Sequence, residues 1–177
     1  MMRNVVRAAL IALLALCAAP AGAAEDLPGK FTKLTAPAPA PEVAFMDGEG
    51  REIGLDAFRG KWTLVNFWAT WCAPCRAEMK DLDELEAKLG GDRFVVVALS
   101  ADRQGLPVVE AFYKEIGVAR LGRYVDPTMK SARAFRAVGL PTTVLLDPEG
   151  REVGRVLGPV AWASEASVDF LRRLIGG

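Results

Sequence analysis

Cys72-Ala73-Pro74-Cys75 sets two thiols two residues apart, directly after the run Asn66-Phe67-Trp68-Ala69-Thr70-Trp71. Cysteines at that spacing, where an apolar run meets an amphipathic stretch, fit a disulfide that opens and closes. A strand ending near Thr70 and a helix beginning near Pro74, a residue suited to the first helical turn, seat Cys72 at a helix N-terminus. Unpaired backbone N–H groups and the helix dipole favour a thiolate there. The thiolate is the attacking species in thiol–disulfide exchange, so Cys72 is the candidate nucleophile and Cys75, about one turn on, the resolving thiol. A buried structural cysteine is the bland alternative, and the pairing at a strand–helix junction argues against it. A zinc site needs about four ligands, and the chain has few thiols and no histidine.

Glu78 stands out in the helix that follows. Cys75, Glu78, Leu82, Leu85 and Leu89 form one helical stripe. A carboxylate inside that stripe should have a raised pKa through desolvation and could take the Cys75 proton as the thiol attacks. The residues alone leave an equal alternative: a first-turn glutamate at the surface that complements the helix dipole.

The rest of the chain bounds the reading. With 177 residues there is room for one domain and one core. A hydrophobic share of 51%, a charged share of 25% and zero net charge describe an ordinary globule, with nothing that points to nucleic acid. Arg3 and Arg7 flank an apolar stretch, Val5 to Ala19, followed by Ala21-Gly22-Ala23-Ala24, which reads as an export signal. Cleavage after Ala23 or Ala24 is expected; retention as a membrane anchor and lipidation at Cys17 are the alternatives. Loss of residues 1–24 leaves 20 basic and 22 acidic residues, net −2, with Cys72 and Cys75 as the remaining thiols. One closely spaced pair is not a disulfide scaffold, and so small a ring constrains the unfolded chain little.

Residues 25–41, rich in Pro and Ala, read as an extended linker, and 42–177 as the folded domain. Within it, Asp47-Gly48-Glu49-Gly50 and Asp147-Pro148-Glu149-Gly150 mark two hairpins. Strands are expected at Lys61–Ala69, Phe94–Ser100, around Arg123–Val125, at Thr142–Leu146 and at Glu152–Leu157. Helices are expected at Pro74–Leu89, Pro107–Ile116, Thr128–Ala137 and Ser164–Ile175. Strands alternating with helices, then a hairpin and a closing helix, give an α/β sandwich.

The Val65-Asn66-Phe67-Trp68-Ala69 strand leading into Trp71-Cys72-Ala73-Pro74-Cys75 resembles the thioredoxin superfamily, and more narrowly the TlpA/ResA-like extracytoplasmic reductases. Gly60-Lys61-Trp62, Arg76-Ala77-Glu78 and Gly139-Leu140-Pro141-Thr142 fit the same pattern in the same order. The resemblance covers about Val43 to the C-terminus. It implies a thioredoxin-like fold with a central mixed sheet, an N-terminal β-hairpin and a βα insertion of about 25 residues, Ala101 to Val125. It implies that Glu78 is functional, that neutral Asn66 passes to Glu78 a task that an aspartate has in cytoplasmic thioredoxins, and that Pro141 is cis. Leu140 would then offer its backbone to an extended substrate, with Trp71 an exposed platform, Pro74 part of the same surface and Trp68 in the core. Lys80 departs from the family, where proline is common.

The implied function is a periplasmic protein-disulfide reductase, monomeric, without metal or cofactor, acting on protein disulfides and re-reduced by a membrane electron donor. Substrates would be apocytochrome c or the copper-centre assembly proteins of cytochrome oxidase. Tyr124-Val125-Asp126-Pro127 and Gly158-Pro159-Val160-Ala161-Trp162 look closer to TlpA proper and favour the second. Direction is inferred from the lack of histidine between the cysteines. Two alternatives carry less. A Cu(I) chaperone would use the soft thiolates but leave Glu78 idle, and a peroxidase would want threonine where Ala69 stands.

Overall fold

The computed structural model describes residues 27–176; the expected export signal and Cys17 lie outside them. Strands are β1 (Thr32–Pro39), β2 (Ala44–Met46), β3 (Glu52–Gly54), β4 (Trp62–Trp68), β5 (Phe94–Ser100), β6 (Tyr124–Val125), β7 (Thr142–Leu146) and β8 (Arg151–Leu157). Helices are α1 (Leu27–Lys30), α2 (Ala73–Leu89), α3 (Leu106–Ile116), α4 (Lys130–Ala134) and α5 (Glu165–Gly176). One mixed sheet runs β1-β8-β7-β4-β5-β6-β2-β3. β4 lies parallel to β5 and antiparallel to β7, residue for residue from Thr63 to Phe67.

The central strands read as unbroken apolar runs because both of their faces are covered. Alternation along β4 sends Leu64 and Trp68 to one core, with Met79, Leu82 and Leu85 of α2 and Phe112 and Tyr113 of α3. Val65 and Phe67 go to the other core, with Ala132 and Phe135 at α4 and Val144 and Leu146 of β7. Asn66 shares the parity of Leu64 and Trp68, so its amide faces α2. The two hairpin motifs fold alike. Asp47 Oδ1 and Asp147 Oδ1 each accept the backbone N–H two and four residues on. Gly50 and Gly150 supply the positive φ (75° and 77°) that the turns need.

The hairpin and the insertion meet: β2 pairs with β6 through Met46 and Val125, while β6 extends β5. α3 ends at Gly117, left-handed at φ 75°, which returns the chain toward β6. Among the described residues no helix is long and apolar enough to cross a membrane.

The spacer reading of residues 25–41 is corrected over its described part. Residues 32–39 form β1, an edge strand antiparallel to β8, with a register break between Lys33 and Ala38. Pro37 and Pro39 are compatible with an edge, where a missing N–H breaks no ladder. Ahead of it, Leu27 is buried, its N–H bonds Ser167 Oγ at 2.8 Å, and Phe31 meets Phe170 edge-on at 5.3 Å. Composition pointed to a linker because Pro and Ala carry no alternation; two apolar anchors, Leu27 and Phe31, outweigh it.

This docking is testable at Gly154, whose neighbour across the ladder is Lys33. A Cβ there would run into the Phe31 ring and come within 2.7 Å of the Thr32 carbonyl oxygen. Gly154→Ala should lower the unfolding free energy by about 1–3 kcal/mol through overpacking, read by urea denaturation. A free spacer would leave the midpoint unchanged.

Candidate active site

β4 ends at Trp68 and α2 begins at Ala73, so the connecting turn carries Thr70, Trp71 and Cys72 out of the sheet. Cys72 is the N-cap of α2, its sulfur accepting the Cys75 N–H at 3.3 Å, and Pro74 lies in the first helical turn. The two cysteines are joined as a disulfide. Their exposure differs: Cys72 reaches the surface (7%) whereas Cys75 is sealed (0%). An incoming reactant therefore meets Cys72 first. The N-terminus of a 17-residue helix stabilises a thiolate at that position.

Buried Asp102, just past β5, pins the turn. Its carboxylate accepts Thr70 N–H at 2.8 Å, Thr70 Oγ1–H at 2.7 Å and the Ser100 hydroxyl at 2.8 Å. From α3, Tyr113 stacks on Trp68, and Phe112 lies under the Arg76 guanidinium, 4.4 Å from its ring centroid.

Beneath the disulfide, Glu78 is 2% exposed, so the surface alternative is excluded. Its Oε1 accepts Asn66 Nδ2–H at 2.8 Å; its Oε2 accepts Trp162 Nε1–H at 2.9 Å and Val160 N–H at 3.1 Å. Burial pushes its pKa up to about 7, and these three donors, which favour the anion, hold the rise in check. Asn66 also bonds Thr143 Oγ1 at 2.9 Å, leaving its own Oδ1 buried without a partner. With the amide turned over, Oδ1 would accept from a protonated Glu78 and from the Thr143 hydroxyl.

Trp71, Cys72, Pro74, Met129, Val138 and Leu140 line a shallow apolar groove at the surface. Trp71 is exposed (65%), as expected of a platform, while Trp68 is fully buried. The Leu140–Pro141 bond is cis, with the Pro141 carbonyl accepting Gly158 N–H at 2.9 Å. The structure thus gathers Trp71, Cys72, Pro74 and Leu140 at one surface, with Cys75 and Glu78 below it and Pro141 beside Leu140.

The AhpC/TSA family model matches residues 36–152, well over half of the chain. The chain belongs to this family. ResA, a thiol–disulfide oxidoreductase of Geobacillus thermodenitrificans, is 35% identical over 124 residues, spanning 68% of this chain and 70% of that protein. ResA of Bacillus thuringiensis is 32% identical over 119 residues, spanning 67% and 68%. A solved thiol:disulfide interchange protein of Chlorobium tepidum superposes with a TM-score of 0.64 at 28% identity, covering 81% of this chain and 99% of that one. As an AhpC/TSA-family protein of the ResA-like kind, the chain is a thiol–disulfide oxidoreductase with a thioredoxin fold.

Several contributors were not singled out as site residues from sequence. Trp162 lies in an irregular loop, where no periodicity assigns a face. Met129 adopts a left-handed backbone (φ 57°), which a methionine does not announce. Asp102 had a signal: an acid just past the C-terminal end of a central parallel strand, where sites in such sheets gather.

Because the folded Glu78 pKa lies above its ordinary value, folding takes up a proton between about pH 4.5 and 7. This contribution to the stability of the oxidised protein is present below pH 4.5 and is lost as pH rises through 7, by about 3 kcal/mol. The unfolding free energy of the native chain minus that of Glu78→Gln should fall by that order across the window. A flat difference would contradict the raised pKa.

Proposed function

We propose that this protein is an extracytoplasmic reductant of protein disulfides, re-reduced by a dithiol electron donor in the membrane. The observation that carries the proposal is the asymmetry of the pair: a helix N-cap cysteine that keeps slight exposure and lines the surface groove, and a sealed one a turn away on the helical stripe that bears a buried carboxylate. The Cys72 thiolate attacks one sulfur of the substrate disulfide, forming a mixed disulfide and releasing the other sulfur as a thiolate. Cys75 then loses its proton to Glu78 and attacks Cys72 Sγ. The Cys72–Cys75 bond forms, the second substrate sulfur leaves, and the proton passes to it. Two electrons move to the substrate, and the donor later returns them.

The reducing direction draws on Ala73-Pro74 between the cysteines, which offers no histidine to stabilise a persistent thiolate. Export draws on the N-terminal segment, and the same segment, if retained, would anchor the domain beside its donor. Candidate substrates are the haem-binding thiols of apocytochrome c or the copper-site thiols of oxidase assembly proteins. The protein acts as a monomer. A Cu(I) chaperone would leave the Asn66–Glu78–Trp162 network without a task.

Cys75→Ser should accumulate a mixed disulfide through Cys72 with the natural partner, recoverable from periplasmic extract and released by dithiothreitol. No adduct, or one equally formed by Cys72→Ser, refutes the mechanism. In rapid-mixing experiments Glu78→Gln should slow the resolving step by about 10²-fold or more and leave the first attack unchanged. Equal resolution rates would remove Glu78 as the base.

A further inference from the structure

The groove beside Cys72 is apolar at its centre and cationic on one flank. Three large apolar side chains are strongly exposed among the described residues, and two of them, Trp71 and Val138 (85%), border this groove. Their proximity to the reactive sulfur marks the patch as a contact surface. Arg103 shares a second hollow with Trp71 and Met129, two residues that also line the groove. Arg133 donates from Nη2 to the Thr128 carbonyl oxygen at 2.6 Å, which holds its guanidinium beside Met129. Both arginines are exposed, and among the described residues neither makes an ion pair.

The nearby acids present no free carboxylate to either arginine. Asp102 and Asp126 are buried, and their carboxylates are taken up by Thr70 and Ser100 and by Thr128 and Ser131. Glu115 is committed to Arg76 at 3.4 Å. Residues 127–146, which supply most of the groove wall, contain Lys130, Arg133 and Arg136 and no acid. The local excess of positive charge stands against a chain that is neutral overall.

We infer that the groove selects an extended protein segment whose cysteine is flanked by an apolar residue and by an aspartate or glutamate. The apolar neighbour rests between Trp71 and Val138, and the carboxylate faces Arg103 and Arg133. This deepens the proposed reductase reading and rests on it. Charges at a rim act mainly on encounter and on the choice of partner, and their effect is screened by salt.

The test uses the reduced protein and short synthetic peptides, each carrying one cysteine in mixed disulfide with 2-mercaptoethanol. The residues beside the apolar neighbour are aspartate, glutamine or lysine. Rates are divided by the rate with hydroxyethyl disulfide, which is small and uncharged. The aspartate peptide should react about tenfold faster than the lysine peptide at low ionic strength, and the two should converge near 1 M salt. In Arg103→Glu/Arg133→Glu the order should invert, and in Arg103→Gln/Arg133→Gln the difference should shrink severalfold. Equal rates for aspartate and lysine in the native protein, or an order untouched by both double variants, overturn the inference. Reaction with hydroxyethyl disulfide but no charge preference sinks only this inference; no reaction with any disulfide sinks the reductase reading as well.

Discussion

Glu78 reaches Asn66 on β4 and both Val160 and Trp162 in the β8–α5 connection, so one carboxylate fastens the active-site helix to two distant parts of the chain. Such a buried charge is costly unless it is met by donors. Three N–H groups meet it here, and burial still outweighs them, which leaves the group close to half-ionised near neutrality. The same three bonds hold the face of α2 that carries Cys75 against β4 and the β8–α5 connection. A carboxylate that was simply exposed would neither hold that face nor have its pKa raised by burial. Structural and chemical demands therefore fall on the same atoms.

The front of the helix is fixed from the other side. The turn bearing Cys72 hangs on Asp102, and Asp102 opens the segment that leads into α3. α3 then returns Phe112 beneath Arg76 and Tyr113 onto Trp68. The βα insertion is thus a brace for the strand–helix junction. Its own short strand, β6, ties it to the β2–β3 hairpin, so the far edge of the sheet is mechanically continuous with the seat of the sulfur.

What the sequence made legible follows from what has a period or a local rule. β5 and β7 match their expected limits residue for residue, because apolar runs bounded by turn residues leave little choice. The stripe through Cys75, Leu82 and Leu85 left Glu78 evenly divided between the buried face and the surface; the resemblance favoured burial, and the structure buries it. Both Asp-x-x-Gly turns were readable from their local rule. β1 was not, since an edge strand with exposed side chains has no alternation to display, and its evidence lies in contacts across more than a hundred residues. Trp162 was hidden likewise: its indole matters only because β8 and the loop after it return to α2. Met129 owes its place to a left-handed turn that no residue type announces.

The two sulfurs differ in how their charge can be stabilised, and that difference orders the reaction. A thiolate at Cys72 lies at the open end of a helix, near solvent, where the N-cap favours it. A thiolate at Cys75 would form inside the core, on the stripe that already carries the Glu78 carboxylate, where two neighbouring anions are mutually destabilising. In the proposed mechanism Cys75 attacks as Glu78 accepts its proton, so resolution would wait for the mixed disulfide to bring an electrophilic sulfur within reach. On that reading Cys72 meets partners before Cys75 reacts, which would keep the first step separate from the second.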